Sequence, residues 1–143
     1  MNNIFAYGTL MIQEVFTIVT GREHAQLPAR VYGFARYSFR DRVYPAMVAA
    51  ASVDFVDGVI YARLPKESIE ALTEFEDSRY RKITVDAELK DNGRKIKAAA
   101  FVLPGDCASL IRKTEWSLTG FRKKNLDTYL DRCSRWRDAF VGK

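Results

Sequence analysis

Apolar and polar positions along this chain recur with two different periods, and the periods predict its elements. Asn3-Ile4-Phe5-Ala6-Tyr7 is a short apolar run stopped by Gly8, the pattern of a buried strand that ends in a turn. From Met11 to Thr20 the apolar residues Ile12, Val15, Phe16 and Val19 fall at helical spacing, and Gly21 ends the run. Ala29 to Phe39 is rich in aromatic and β-branched residues and reads as a strand broken near Gly33. Tyr44 to Ala50 is a further apolar run, and Val53 to Leu64 reads as a strand around Val59-Ile60-Tyr61. Pro65 opens a helix that carries Ile69, Leu72 and Phe75 on one face. Tyr80 to Lys90 and Arg94 to Leu103 form a strand pair around Asp91-Asn92-Gly93, because Asn-Gly favours a tight hairpin turn. After Asn125, the residues Leu126, Tyr129, Leu130, Cys133, Trp136 and Phe140 make the apolar stripe of a closing helix.

Five or six strands and three helices in mixed order predict an α+β fold, read as one domain over residues 1–143. No repeat or Pro/Gly/Ser-rich linker divides it, and the pattern leaves open whether the sheet closes into a barrel. Composition narrows the picture. Hydrophobic residues are 48% and charged residues 29% of the chain, as in soluble globular proteins. No apolar run approaches the roughly 18 residues of a membrane helix, and no secretory signal opens the chain, so no membrane partner is expected. Two cysteines, Cys107 and Cys133, are too few for a disulfide scaffold and read as reduced thiols of a cytoplasmic protein. With His24 as the single histidine, a multi-histidine metal site is impossible, and no metal is expected. The net charge of +5 invites a nucleic-acid reading, but basic residues are interleaved with acids. The densest cluster, Arg122-Lys123-Lys124, precedes the last helix; a solvated basic surface accounts for it, and no nucleic-acid partner is expected.

Two segments could carry chemistry. Tyr7-Gly8-Thr9-Leu10 joins a buried strand to a helix, where glycine lets a ligand approach the backbone and free N–H groups suit an anion or a developing oxyanion. The plainer account is a tight turn at Gly8 and a helix cap at Thr9. In Leu72-Thr73-Glu74-Phe75-Glu76-Asp77-Ser78, three acids within four residues end an amphipathic helix, where they oppose its dipole. That local cost hints at function, and the alternative is a solvated acidic loop. If Phe75 enters the core, a neighbouring carboxylate sits against apolar surroundings, which raise its pKa towards the range of a general base. No phosphate-binding glycine loop or Gly-x-Ser-x-Gly nucleophile context occurs.

Taken together, these segments resemble the γ-glutamylcyclotransferase-like superfamily, in its AIG2-like and γ-glutamylamine cyclotransferase branch. Phe5 to Leu10 is similar to that family's Tyr-Gly-Thr-Leu signature, Tyr44-Pro45-Ala46 to its Tyr-Pro-Ala element, and Gly58 to Tyr61 to its Gly-x-x-Tyr strand. Leu72 to Glu76 followed by Tyr80 resembles the segment that carries the catalytic glutamate. The resemblance implies a mixed barrel of five to seven strands with flanking helices. It implies that Tyr7, Gly8, Thr9 and Leu10, with Tyr44 and Pro45, bind substrate. It implies Glu76 as the proton acceptor: Glu74 is the rival, but the family's glutamate directly follows the aromatic residue. The implied reaction cyclises a γ-glutamyl amine or γ-glutamyl amino acid to 5-oxoproline without a cofactor. Three positions depart from the family pattern: Asp77 replaces a frequent glycine, Thr73 a frequent aspartate, and Phe101 a common tyrosine. A silent binding protein of the same fold is the alternative that Asp77 and Phe101 suggest.

Overall fold

Strand β1 (Ile4–Ala6) is buried at every residue because it runs between two other strands of a closed barrel in the computed structural model, which describes residues 2–142. Around the barrel the order is β1, β5 (Phe55–Tyr61), β2 (Leu27–Tyr32), β6 (Arg81–Leu89) and β7 (Lys95–Val102). All neighbours are antiparallel except β1 and β7, whose parallel pairing sets Ile4 opposite Ala99 and closes the barrel.

The two-residue side-chain period of the strands sorts the core. Phe5, Ala29, Val31, Ile60, Val85, Ala87, Ala98 and Ala100 form one cluster with contributions from all five strands, the barrel interior. Their alternates Ile4, Ala6, Val59, Tyr61 and Phe101 point the other way, into a second cluster shared with the helices. Interior alanines on β2, β6 and β7 leave room for the large ring of Phe5. A Cβ at Gly58 would strike the Ala6 carbonyl oxygen and come within 2.8 Å of the Phe5 ring, so β5 meets β1 closely only because the residue is glycine.

Helices α1 (Gln13–Thr20), α2 (Lys66–Phe75), α3 (Leu118–Lys124) and α4 (Leu126–Val141) cover the outer cluster with Phe16, Leu72, Phe121 and Tyr129. Phe16 stacks on Tyr61 at 3.6 Å between ring centres, fixing α1 to the barrel. Arg137 of α4 donates to the carbonyl of Val19, satisfying an orphan acceptor at the end of α1.

The strand read across Ala29–Phe39 is two strands in two sheets. Gly33 at φ 85° turns the chain, so β2 stays in the barrel while β3 (Phe34–Phe39) leaves it. β3 pairs with β4 (Pro45–Ala49) on one side and β8 (Ile111–Arg112) on the other. The hairpin at Asp91-Asn92-Gly93 forms as the sequence predicts, with Glu88 opposite Lys95. Eight strands and four helices among the described residues exceed the five or six and three counted from the pattern. The extra elements are β3, split from the Ala29–Phe39 run at Gly33, and β8 and α3 in residues 104–124. β8 has only two residues and therefore no readable period, and Gly120 sits inside the seven-residue α3. The Arg122-Lys123-Lys124 cluster is the last turn of α3, where cations complement the helix dipole.

Candidate active site

Helix α2 stops where its chemistry begins. Phe75, its last residue, packs edge-on against Trp136 at 5.1 Å and Tyr129 at 6.4 Å, both on α4. That anchor fixes the next residue. Glu76 leaves the helix with extended backbone (φ −66°, ψ 149°) while its amide still donates to the Leu72 carbonyl at 3.1 Å. Its side chain lines a cavity of about 680 Å³. No hydrogen bond from a described residue holds the carboxylate. Burial pushes the Glu76 carboxyl up to about 8, and the adjacent Asp77 charge adds to the rise. Three phenols lie close enough to feel that charge: Tyr7, Tyr80 and Tyr129 are each raised, first by burial and further by Glu76.

Asp77 is the opposite case. Its side chain is only 7% exposed, and Arg79 reaches it through Nε at 2.8 Å and Nη2 at 2.6 Å. The Arg79 amide donates to the same carboxylate at 3.0 Å, closing an Asx turn, and the Tyr44 hydroxyl donates at 2.7 Å. The Arg79 guanidinium therefore holds the Asp77 carboxyl far below the ordinary carboxylate range, against the effect of burial. The Asp77 side chain thus makes the turn itself. Glu74, the rival base, is exposed and does not line the cavity.

Another part of the lining is the link from β1 to α1. Tyr7, Gly8, Thr9 and Leu10 all line the same cavity as Glu76. Residues Thr9–Met11 form a single 3₁₀ turn, a tighter start to α1 than the helical run from Met11 implies. Its carbonyls are pinned from outside the cavity. Arg36 donates to Tyr7 O at 2.8 Å, and the Tyr61 hydroxyl donates to Leu10 O at 2.6 Å. The Tyr7 hydroxyl donates to Phe101 O, and Thr9 Oγ1 donates to the Tyr129 hydroxyl at 3.2 Å. Gly8 has φ −129°, so no left-handed conformation demands glycine. Packing does: a Cβ there would lie 2.8 Å from both Cδ and Cγ of Pro45. Pro45 and Tyr44 line the cavity beside that contact, and Tyr80 donates to the Pro45 carbonyl.

Tyr7, Gly8, Thr9, Leu10, Tyr44, Pro45 and Glu76 thus border one cavity, and Glu74 does not. Contributors not assigned to the site from sequence include Tyr80, Tyr129, Arg42 and Arg132. Tyr129 stands on the apolar stripe of α4, where an aromatic reads as core, and Arg132 gives no sequence signal of its own. Cys133, on that stripe, is buried as expected. Among the described residues, no cluster of His, Cys, Asp and Glu could hold a metal ion, and no helix is long and apolar enough to cross a membrane.

Comparison with known proteins sets this geometry in a family. Over 103 residues the chain is 32% identical to AIG2-like protein D of Arabidopsis thaliana, covering 71% of this chain and 67% of that one. It spans 58% to 67% of the length of the curated Arabidopsis relatives it matches over 100 to 103 residues. A solution structure of an Arabidopsis thaliana protein superposes with a TM-score of 0.71 at 22% identity, covering 99% of this chain and 87% of that one. A structure described as a gamma-glutamyl cyclotransferase superposes with a TM-score of 0.62 at 16% identity, covering 92% of this chain and 85% of that one. At these identities the two superpositions show a shared fold. The match to the family described as gamma-glutamyl cyclotransferase, AIG2-like, runs over residues 4–118, from β1 through the start of α3, and the chain belongs to that family.

Proposed function

We propose that this protein cyclises γ-glutamyl amides, releasing 5-oxoproline and an amine, with Glu76 as the group that moves the proton. The observation that carries this reading is the Glu76 carboxylate, raised to about 8 and free of hydrogen bonds from described residues, on the wall of a 680 Å³ cavity. A free α-amine titrates at about 7.7–8.0. Proton transfer from the substrate's α-ammonium to an ordinary glutamate would be uphill by roughly 5 kcal/mol, at about 1.36 kcal/mol per pKa unit. At about 8 the two groups match and that cost disappears.

The reaction is intramolecular. Glu76 takes a proton from the α-ammonium, and the freed nitrogen attacks the γ-carbonyl carbon, closing a five-membered ring. The carbonyl oxygen becomes an oxyanion. As it collapses, the bond to the leaving nitrogen breaks and Glu76 returns its proton to that nitrogen. Glu76 then takes the second proton from the ring nitrogen and passes it to the departing amine, which leaves as an ammonium beside a neutral lactam nitrogen. Nucleophile and electrophile belong to one molecule, so the protein must chiefly hold the folded conformer. Backbone amides at Thr9 and Leu10, in the unpaired first turn after Gly8, are the assigned oxyanion donors. The carbonyls of those same peptide planes, Gly8 O and Thr9 O, accept the Met11 and Ile12 amides at 3.0 and 3.1 Å, which keeps the planes from rotating. Tyr44 and Pro45 complete the cradle. No cofactor enters this scheme. The partner is a small γ-glutamyl molecule rather than a nucleic acid or a membrane, and two unpaired cysteines fit a reducing cytoplasm.

Phe101 bears on the reading because its position lacks the hydroxyl common in relatives. Phe101 lines the cavity and accepts the Tyr7 hydroxyl at its backbone carbonyl, an interaction that does not depend on its side chain. Incubation with a panel of γ-glutamyl amines and γ-glutamyl amino acids, assayed for 5-oxoproline, tests the proposal. No product from any of them would leave a binding protein that shares the fold.

A further inference from the structure

The family match ends at residue 118, but the cavity does not end there. Helix α4, residues Leu126–Val141, supplies one of its walls through Tyr129 and Arg132. These two stand one helical turn apart, so they share a face of α4. Tyr129 is buried and reaches Thr9 of the cradle, while Arg132 is exposed at the rim. The Arg132 guanidinium lies 5.5 Å from the Tyr129 ring centre and 6.0 Å from that of Tyr44. Two aromatic rings, one on α4 and one just before β4, therefore border the cation.

Its electrostatic state sets Arg132 apart from the other rim arginines. Arg79 is committed to Asp77 through two hydrogen bonds, and Arg42 donates to Tyr44 at 3.1 Å and lies 3.9 Å from Asp77. Arg132 makes no ion pair with any described residue. A guanidinium positioned by two tyrosines and lacking an anion suits a carboxylate from a ligand, which it can bind through paired N–H groups.

The place of Arg132 tells which carboxylate. The γ-glutamyl group carries its α-carboxylate on the same carbon as the amine that Glu76 deprotonates. A guanidinium bound there would lie close to Glu76 and favour its ionised form. Arg132 instead is exposed, one helical turn beyond the buried Tyr129 that touches Thr9 of the cradle. Arg132 therefore faces the other end of the substrate. We propose that Arg132 binds a carboxylate on the leaving group, so that the substrates of this protein are γ-glutamyl amino acids or peptides in preference to γ-glutamyl amines without an acid. This inference rests on the cyclotransferase reading for its reaction but not for its binding.

Two compounds differing only in that carboxylate, γ-glutamyl-alanine and γ-glutamyl-ethylamide, provide the test. Their leaving amines differ in basicity, so the readout is how the ratio of kcat/KM values changes between wild type and Arg132→Gln, in which that difference cancels. Arg132→Gln should lower the preference for γ-glutamyl-alanine by about tenfold or more, the low end for a charge-assisted hydrogen bond, mostly through KM. Arg132→Lys should restore part of it. A ratio unchanged in Arg132→Gln, or a loss shared equally by both compounds, would overturn the inference. Should neither compound yield 5-oxoproline, the cyclotransferase reading fails separately, and calorimetric binding decides. Wild type should then still bind γ-glutamyl-alanine about tenfold more tightly relative to the ethylamide than Arg132→Gln does, and equal discrimination by the two proteins would refute the role of Arg132.

Discussion

Tyr44 donates a 2.7 Å hydrogen bond to Asp77, and through it the Tyr-Pro-Ala element is tied to the turn that carries Glu76. The contact fixes the spacing of two cavity walls that come from β4 and from the end of α2. It also helps to keep Asp77 ionised beside Glu76, with Arg79 the stronger cause. Adjacent carboxylates are thereby driven apart, one far below its usual range and the other up to about 8. Such a divided pair is a recurrent way to assign acid–base roles.

Glu76→Gln is nearly isosteric and should keep the fold while lowering kcat by about 10²–10⁴, the range for loss of a general base. Glu74→Gln, outside the cavity, should change kcat less than about twofold. Steady-state assays of 5-oxoproline release on both variants check this. Normal turnover by Glu76→Gln would end the assignment.

The pH profile should carry the same signature. Transfer needs one proton shared between Glu76 and the substrate amine, and both titrate near 8. A plot of kcat/KM should therefore be bell-shaped with its optimum at about pH 8. Asp77→Asn removes the smaller of the two causes that raise Glu76, so its acidic limb should move down by roughly one unit or less. A wild-type profile flat down to about pH 5 would contradict a raised carboxylate.

Stability should pay for this pKa. A folded carboxyl raised to about 8 binds more protons than the unfolded chain between its unfolded value near 4.5 and about 8. Unfolding free energy therefore falls as pH rises through that window. Glu76→Gln, which cannot ionise, should be more stable than wild type at pH 8 by roughly 1–3 kcal/mol and similar to it near pH 4.5. Denaturant melts of the two proteins at both pH values measure the difference, and a wild type more stable at pH 8 than at pH 5 relative to the variant would contradict the burial of this charge.

Gly8→Ala tests the cradle through packing rather than backbone conformation. The added Cβ would press on the Pro45 ring, whose carbonyl anchors Tyr80, at a cost of about 1–3 kcal/mol typical of overpacking. The shifted loop should lower kcat by at least about tenfold, since misplacement of about 1 Å can cost 10²-fold. Thermal melts and kinetics separate the two effects. Full activity with an unchanged melting temperature would mean that the loop only joins β1 to α1.

Much of this was legible in the chain because local order writes itself into local patterns. The two-residue alternation of β6 and β7, the Asn-Gly turn between them and the stripe of α4 each depend on neighbours a few positions apart. The resemblance at Tyr7–Leu10, Tyr44–Ala46 and Leu72–Glu76 likewise lies in short strings of residues. Closure of the barrel lies nowhere in such strings, since it rests on β1 meeting β7 across 95 positions from Ile4 to Ala99. The same limit hid Tyr129 and Arg132 among the residues of a helix that reads as packing alone. Read by residue type alone, Glu74, Glu76 and Asp77 are three similar acids, and only the resemblance selected Glu76. Tertiary contacts separate them: one side chain stays in water, one turns to Arg79 and Tyr44, and one enters a cavity where the desolvation of its charge, a property of the assembled walls, makes it a base.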